Sequence, residues 1–167
     1  NLTNASGIET LNMAGSAGVV TVSGVSSAVA LAVSDSAVAH TITFNDVTGS
    51  ADTATVTVAG LSGASNLTLA NIETVALTLS GTTNSFDVVA TSATSLTIAG
   101  TGSGTIANLT TAGTDSLTSI DASSNSGNLT ITTGQQETGS TTDLSVTGGS
   151  GNDTLDVSAH TNSDVSV

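Results

Sequence analysis

The sequence predicts an all-β fold, wound for most of its length as a parallel β-solenoid or β-roll. Three observations predict it. Apolar and polar residues alternate strictly in short runs, such as Val56-Thr57-Val58 and Leu77-Thr78-Leu79, the period of a strand with one buried face. From Leu67 onward an apolar pair recurs about every ten residues, a spacing that suits solenoid coils, sandwiches or barrels. The side chains are small: 32 threonines and 26 serines among 167 residues. Stacked coils tolerate such side chains, and Thr, Ser and Asn can form ladders along the stack.

Taken in order, strands are expected at 18–23, 28–34, 40–45 and 53–59. The run Ala28 to Val33 is the one stretch with helical character, and its neighbours argue for strand. The apolar pairs then mark short strands at Leu67/Leu69, Leu77/Leu79, Phe86/Val88, Leu96/Ile98, Ile106/Leu109, Leu117/Ile120, Leu129/Ile131, Leu144/Val146 and Leu155/Val157. Clusters of Gly, Ser, Asn and Asp separate them and supply turns in a chain without proline. Gly7-Ile8-Glu9-Thr10-Leu11 returns as Asn71-Ile72-Glu73-Thr74-Val75, 64 residues later. This similarity suggests a β-rich N-terminal unit over 1–65 and solenoid repeats over 66–167. The longer strands of 1–65 also fit a small antiparallel sheet or sandwich.

Charge and composition exclude much chemistry. Thirteen acids and no Lys or Arg give a net charge of −13, so nothing can neutralise phosphates and nucleic acid is not an expected partner. There is no Cys, Tyr or Trp, which removes disulfides, thiol nucleophiles and aromatic sugar platforms. No serine sits in a nucleophile elbow with a histidine partner. His40 and His160 read as strand or surface residues, and the expectation is a protein that is not an enzyme. No apolar run approaches the length of a membrane-spanning helix, and no leader segment is visible at residue 1.

One stretch carries a motif. Gly148-Gly149-Ser150-Gly151-Asn152-Asp153-Thr154-Leu155-Asp156 fits the nonapeptide G-G-x-G-x-D-x-U-x at every fixed position. Its backbone carbonyls and the Asp153 carboxylate are hard oxygen donors of the kind that suit Ca²⁺. Here the chain resembles the RTX family of calcium-binding, type I-secreted bacterial proteins. The resemblance implies a loop built from Gly148, Gly149, Gly151, Asn152 and Asp153, with Leu155 facing the core. RTX rolls stack tandem copies, whereas the neighbouring stretches 139–147 and 157–165 lack the glycine pattern, so one site or a mixed site is expected in place of a full row. Asp121, Asp143 and Asp156, beside predicted turns, are the further candidate metal ligands, with Asp115 and Asp164 in similar settings. Asp35, Asp46, Asp52, Glu9 and Glu73 read as turn or strand carboxylates.

Segments such as Leu117-Thr118-Ser119-Ile120-Asp121 and Gly127-Asn128-Leu129-Thr130-Ile131 are similar to the repeats of RTX-bearing surface-layer (S-layer) proteins. That resemblance implies a structural subunit of an extracellular bacterial surface layer or surface fibre, self-assembling and stabilised by Ca²⁺. Its partner would be itself, with cell-surface polysaccharide the second candidate. The alternatives are a repeat segment of an RTX adhesin and a non-catalytic stalk or secretion domain of an RTX enzyme. Independently of the resemblance, thirteen carboxylates without internal counter-charge repel one another and call for cations.

Overall fold

The structure, a computed structural model, describes residues 1–63, 65–110, 117–134, 143–159 and 164–167. Among the described residues fifteen strands follow one another: β1 (Thr10–Ala14), β2 (Val20–Val25), β3 (Ala30–Ser34), β4 (His40–Phe44), β5 (Thr53–Ala59), β6 (Ser65–Ala70), β7 (Thr74–Ser80), β8 (Ser85–Val89), β9 (Ser95–Gly100), β10 (Gly104–Thr110), β11 (Ser119–Asn125), β12 (Leu129–Thr133), β13 (Leu144–Thr147), β14 (Thr154–Asp156) and β15 (Val165–Ser166). Odd-numbered strands form one sheet of eight, called sheet A, and even-numbered strands a second sheet of seven, sheet B. Every neighbouring pair is parallel. The chain therefore lays one strand in sheet A, turns a corner, lays one in sheet B and returns, completing a β-solenoid of about seven turns.

The alternation dictates the two surfaces. Along β5 and β7 the inward positions Val56, Val58, Leu77 and Leu79 are fully buried while the threonines between them face outward. In sheet A the inward register runs Leu11, Leu31, Val56, Leu77, Ile98. In sheet B, Phe86, Ile106, Ile131 and Leu155 stack in the same way. These aliphatic rows fill the space between the sheets as one core. Fully burying a Leu, Val or Ile stabilises by roughly 1.5–3 kcal/mol, so each coil contributes through a handful of inward residues and its two backbone ladders.

The expected strands occur, with ends shifted by no more than two residues at β2, β3 and β4, except that Leu117 and Val157 lie just outside β11 and β14; β1 and β15 were not expected. The irregular pair Ile106/Leu109, three apart instead of two, has a structural cause. The register of β10 against both β8 and β12 shifts between those residues, so a bulge lets both point inward. The antiparallel alternative for 1–65 does not occur. β1 to β5 pair in parallel, and both sheets run on through residue 65 by way of β4–β6 and β5–β7. The Ile8/Ile72 similarity marks the entries to β1 and β7, three coils apart in sheet A. The ladder aligns Leu11 with Leu77, so the two copies are out of step by two residues, which preserves facing. Among the described residues no helix is long and apolar enough to cross a membrane.

Candidate functional site

The Gly148–Asp153 segment forms the corner that carries the chain from β13 in sheet A to β14 in sheet B. It stacks on the corresponding corner of the preceding coil. Ser150 N–H donates to the Asn125 carbonyl at 3.0 Å, and Asn152 N–H donates to Asn128 Oδ1 at 2.9 Å. Asp153 clamps the corner with both carboxylate oxygens. Oδ1 accepts the Leu129 N–H of the coil below at 3.0 Å, and Oδ2 accepts the Gly149 N–H of its own loop at 2.7 Å.

The glycines are required by close stacking. A Cβ at Gly149 would collide with the Asn125 carbonyl oxygen, and one at Gly151 with the Gly127 carbonyl oxygen. Neither residue adopts a positive φ, so what demands glycine at both positions is room for the coil beneath.

That finding exposes a repeat missed in the sequence. Gly100-Thr101-Gly102-Ser103, Asn125-Ser126-Gly127-Asn128 and Gly149-Ser150-Gly151-Asn152 occupy three successive corners. Gly127 lies against Gly102, and Gly151 against Gly127. Ser126 N–H donates to the Gly100 carbonyl, and Asn128 N–H to Ser103 Oγ at 3.1 Å. The nonapeptide is thus the last of three related corners. The signal was x-x-Gly-[Ser/Asn] returning after 25 and then 24 residues, with asparagine in place of the first glycine in the middle copy.

Asn125 is buried in this stack. Its Nδ2 donates to the Ala99 and Gly102 carbonyls at 3.3 and 3.2 Å, while its Oδ1 has no partner. Asn84, also buried, is fully satisfied: Nδ2 bonds the Ser80 and Ser103 carbonyls, and Oδ1 accepts the Gly60 N–H. Beside these corners runs an open, uncharged groove of about 450 Å³, lined in part by Thr82, Thr83, Asn84, Ser103, Asn128 and Thr130.

The remaining candidate ligands are placed as follows. Asp121 lies on the outer face of β11 beside Thr147, where its Oδ1 accepts the Ser123 N–H. Asp156 ends β14 in sheet B and accepts the Ser158 N–H. Hydrogen bonds from the serine side chain and backbone two residues on hold both carboxyls below the ordinary aspartate range. Asp143 opens β13, and its Oδ1 accepts the Asp164 N–H at 3.3 Å. Asp115, His160 and Gly139 lie outside the described residues.

In the first half, Ser26 and Ser27 donate to Asp46, Ser26 most strongly, and lower its pKa. Glu73 accepts the Asp52 N–H one coil below. His40 is buried at the start of β4 with Nε2 unpartnered. Desolvation lowers its pKa, and a hydrogen bond with the Val38 backbone offsets part of the effect.

Among the described residues, no group of three or more His, Asp or Glu side chains comes together to hold a metal ion. A cation at the Gly148–Asp153 corner would draw on the Asp153 carboxylate, backbone carbonyls and the exposed Asn152 side chain. Fold and corner define a two-sheet parallel β-solenoid with stacked Gly/Asn corners. In comparison with known proteins, no family model, curated protein or solved structure matches the chain.

Proposed function

We propose that the chain is a structural subunit of an extracellular bacterial surface layer or surface fibre, assembling with copies of itself and stabilised by Ca²⁺. The observation that supports this reading best is the repetitive construction. Two continuous parallel ladders present outer surfaces made mostly of Ser, Thr and Ala, a construction suited to extension and stacking. Among the described residues the end strands β1, β2, β14 and β15 each have one ladder neighbour, so a further coil, of this chain or of a second copy, can continue either sheet.

Calcium enters through charge and through the last corner. A net charge of −13 with no basic residue opposes both folding and association, and divalent cations relieve both. Asp153 is anchored across two coils, so an ion on its free lone pairs would bind the folded state in preference to the unfolded chain. Such binding stabilises by roughly 2.7 kcal/mol at a hundredfold excess over the dissociation constant.

Size-exclusion chromatography with light scattering, in EDTA and in millimolar calcium, tests the reading. Conversion to large particles in calcium is the expected result. A compact monomer in calcium that expands in EDTA would favour the adhesin-segment or stalk alternatives. No change in size or compactness would overturn the calcium role.

A further inference from the structure

We infer that the corner 35–39, between β3 and β4, is a proton-gated latch: protonation of His40 opens it while the rest of the solenoid stays closed. The inference does not depend on the self-assembly reading above. His40 heads β4 on the inward row and is 1% exposed. It stacks between Val20 and Leu67 of the neighbouring coils. Its ring bonds the Val38 backbone, and Nε2 has no partner. A second proton must sit on Nε2, where no acceptor meets it.

No counter-charge faces that proton either. Among the described residues, β2, β3, β5 and β6 carry no titratable side chain, and the corners 15–19 and 60–63 carry none. Asp35, on the corner itself, is exposed and lies against Gly60. Asp46, beyond β4, is exposed and occupied by Ser26 and Ser27. A buried cation without a paired anion is strongly disfavoured. The closed corner therefore resists a proton that the open, hydrated corner takes up, and opening grows as pH falls below the ordinary imidazole value of 6.5.

The corner is built to yield. His40 is the first residue of β4, so lifting 35–39 hydrates it with the least loss of ladder. The Asp35 N–H on the Ala59 carbonyl and the Val20 N–H on the Ala39 carbonyl, both 2.9 Å, mark the two ends of the segment. Between them the bonds are weak or replaceable. Ser36 Oγ donates to the Ser16 carbonyl at 3.5 Å and accepts the Val38 N–H at 3.4 Å, both long for hydrogen bonds. Ser65 Oγ donates to the Ser36 carbonyl at 3.1 Å but also to the Ser62 carbonyl at 3.0 Å, so it keeps a partner when the corner leaves. Asp35 has a φ of 49°, a left-handed conformation that a side chain disfavours, and opening relieves it. Each coil of a solenoid touches only its neighbours, so the opening stays local.

Hydrogen–deuterium exchange of the full chain at pH 7.5 and pH 5.0, corrected for intrinsic exchange rates, tests the inference. Carboxylates stay largely ionised across this window, so the imidazoles carry the change. Protection of segment 35–44 is expected to fall by about ten- to thirtyfold, the upper figure set by the distance of pH 5.0 from 6.5. Protection over 74–100 is expected to hold. His40→Leu should show no selective loss at 35–44. Should that variant fail to fold by circular dichroism, His40→Asn replaces it, since its amide does not titrate and can still donate to the backbone. An equal loss along the whole chain, or no loss at 35–44, would overturn the latch. A selective loss that persists without the imidazole would remove His40 as its trigger.

Discussion

At the Gly149–Gly151 corner the limiting quantity is the space a single Cβ would need. Gly151 sits against the Gly127 carbonyl oxygen, whereas Gly18 has nothing within 4 Å and no positive φ. Gly151→Ala should lower unfolding stability by roughly 1–3 kcal/mol, the usual cost of forcing an atom into a packed site, and Gly18→Ala should be near neutral. Urea denaturation of the two variants checks this. If both behaved alike, coil-to-coil contact would not be what selects glycine.

Asp153 offers a second test. Asp153→Ala leaves the Leu129 and Gly149 N–H groups without their acceptors, a loss of about 1–3 kcal/mol for each group that stays desolvated. Asp153→Asn keeps the oxygen that faces Leu129 and removes the charge. If calcium binds here, Asp153→Asn should abolish calcium-dependent stabilisation while retaining much of the stability in EDTA. Thermal melts with and without calcium separate the two roles.

At the scale of the strand, the sequence was read well where alternation was clean. Val56-Thr57-Val58 and Leu77-Thr78-Leu79 fixed both the strands and their buried faces, because period-two patterning leaves one way to bury the aliphatics. Parallel pairing was harder to read, since alternation is the same for either strand direction. The 64-residue similarity suggested two units meeting near residue 65; both ladders continue past that position. The corner repeat was obscured because Asn125 stands where its counterparts are Gly100 and Gly149, and because coil lengths vary. Consecutive register steps span 20 residues from Val20 to His40 and 27 from His40 to Leu67.

Within β4 the inward row is His40, Ile42 and Phe44, although the sequence read His40 only as a strand or surface residue. Its burial has a pH consequence. The folded pKa lies below the ordinary 6.5, so as pH falls below that value the unfolded chain takes up a proton that the folded chain resists. Stability from this group is therefore complete above about 6.5 and declines as pH falls towards the folded pKa. His40→Leu removes the titration along with the unpartnered Nε2. The variant should be at least as stable as the parent at neutral pH and should lose less stability than the parent between pH 6.5 and 5. Denaturant midpoints across that range measure the difference. A parallel pH profile for both chains would show that the buried imidazole is not the sensitive group.

For the whole molecule, charge and architecture act against each other. Each coil adds core and ladder, yet every added carboxylate raises a repulsion that no lysine or arginine offsets. Simple screening must therefore stabilise the fold: the Debye length shrinks to about 10 Å at 0.1 M salt and about 3 Å at 1 M. Sodium chloride should raise the melting temperature smoothly, without saturating at low concentration. A bound calcium ion behaves differently, because its effect grows with the logarithm of free calcium above the dissociation constant. The decisive comparison is calcium chloride against sodium chloride at equal ionic strength. Site binding predicts an excess stabilisation in calcium that EDTA reverses and that Asp153→Asn lacks. If the two salts superimpose, the thirteen carboxylates act only as a diffuse charge. The Gly148–Asp153 corner is then the third of three structural corners, in which Asp153 serves as an acceptor for two backbone amides.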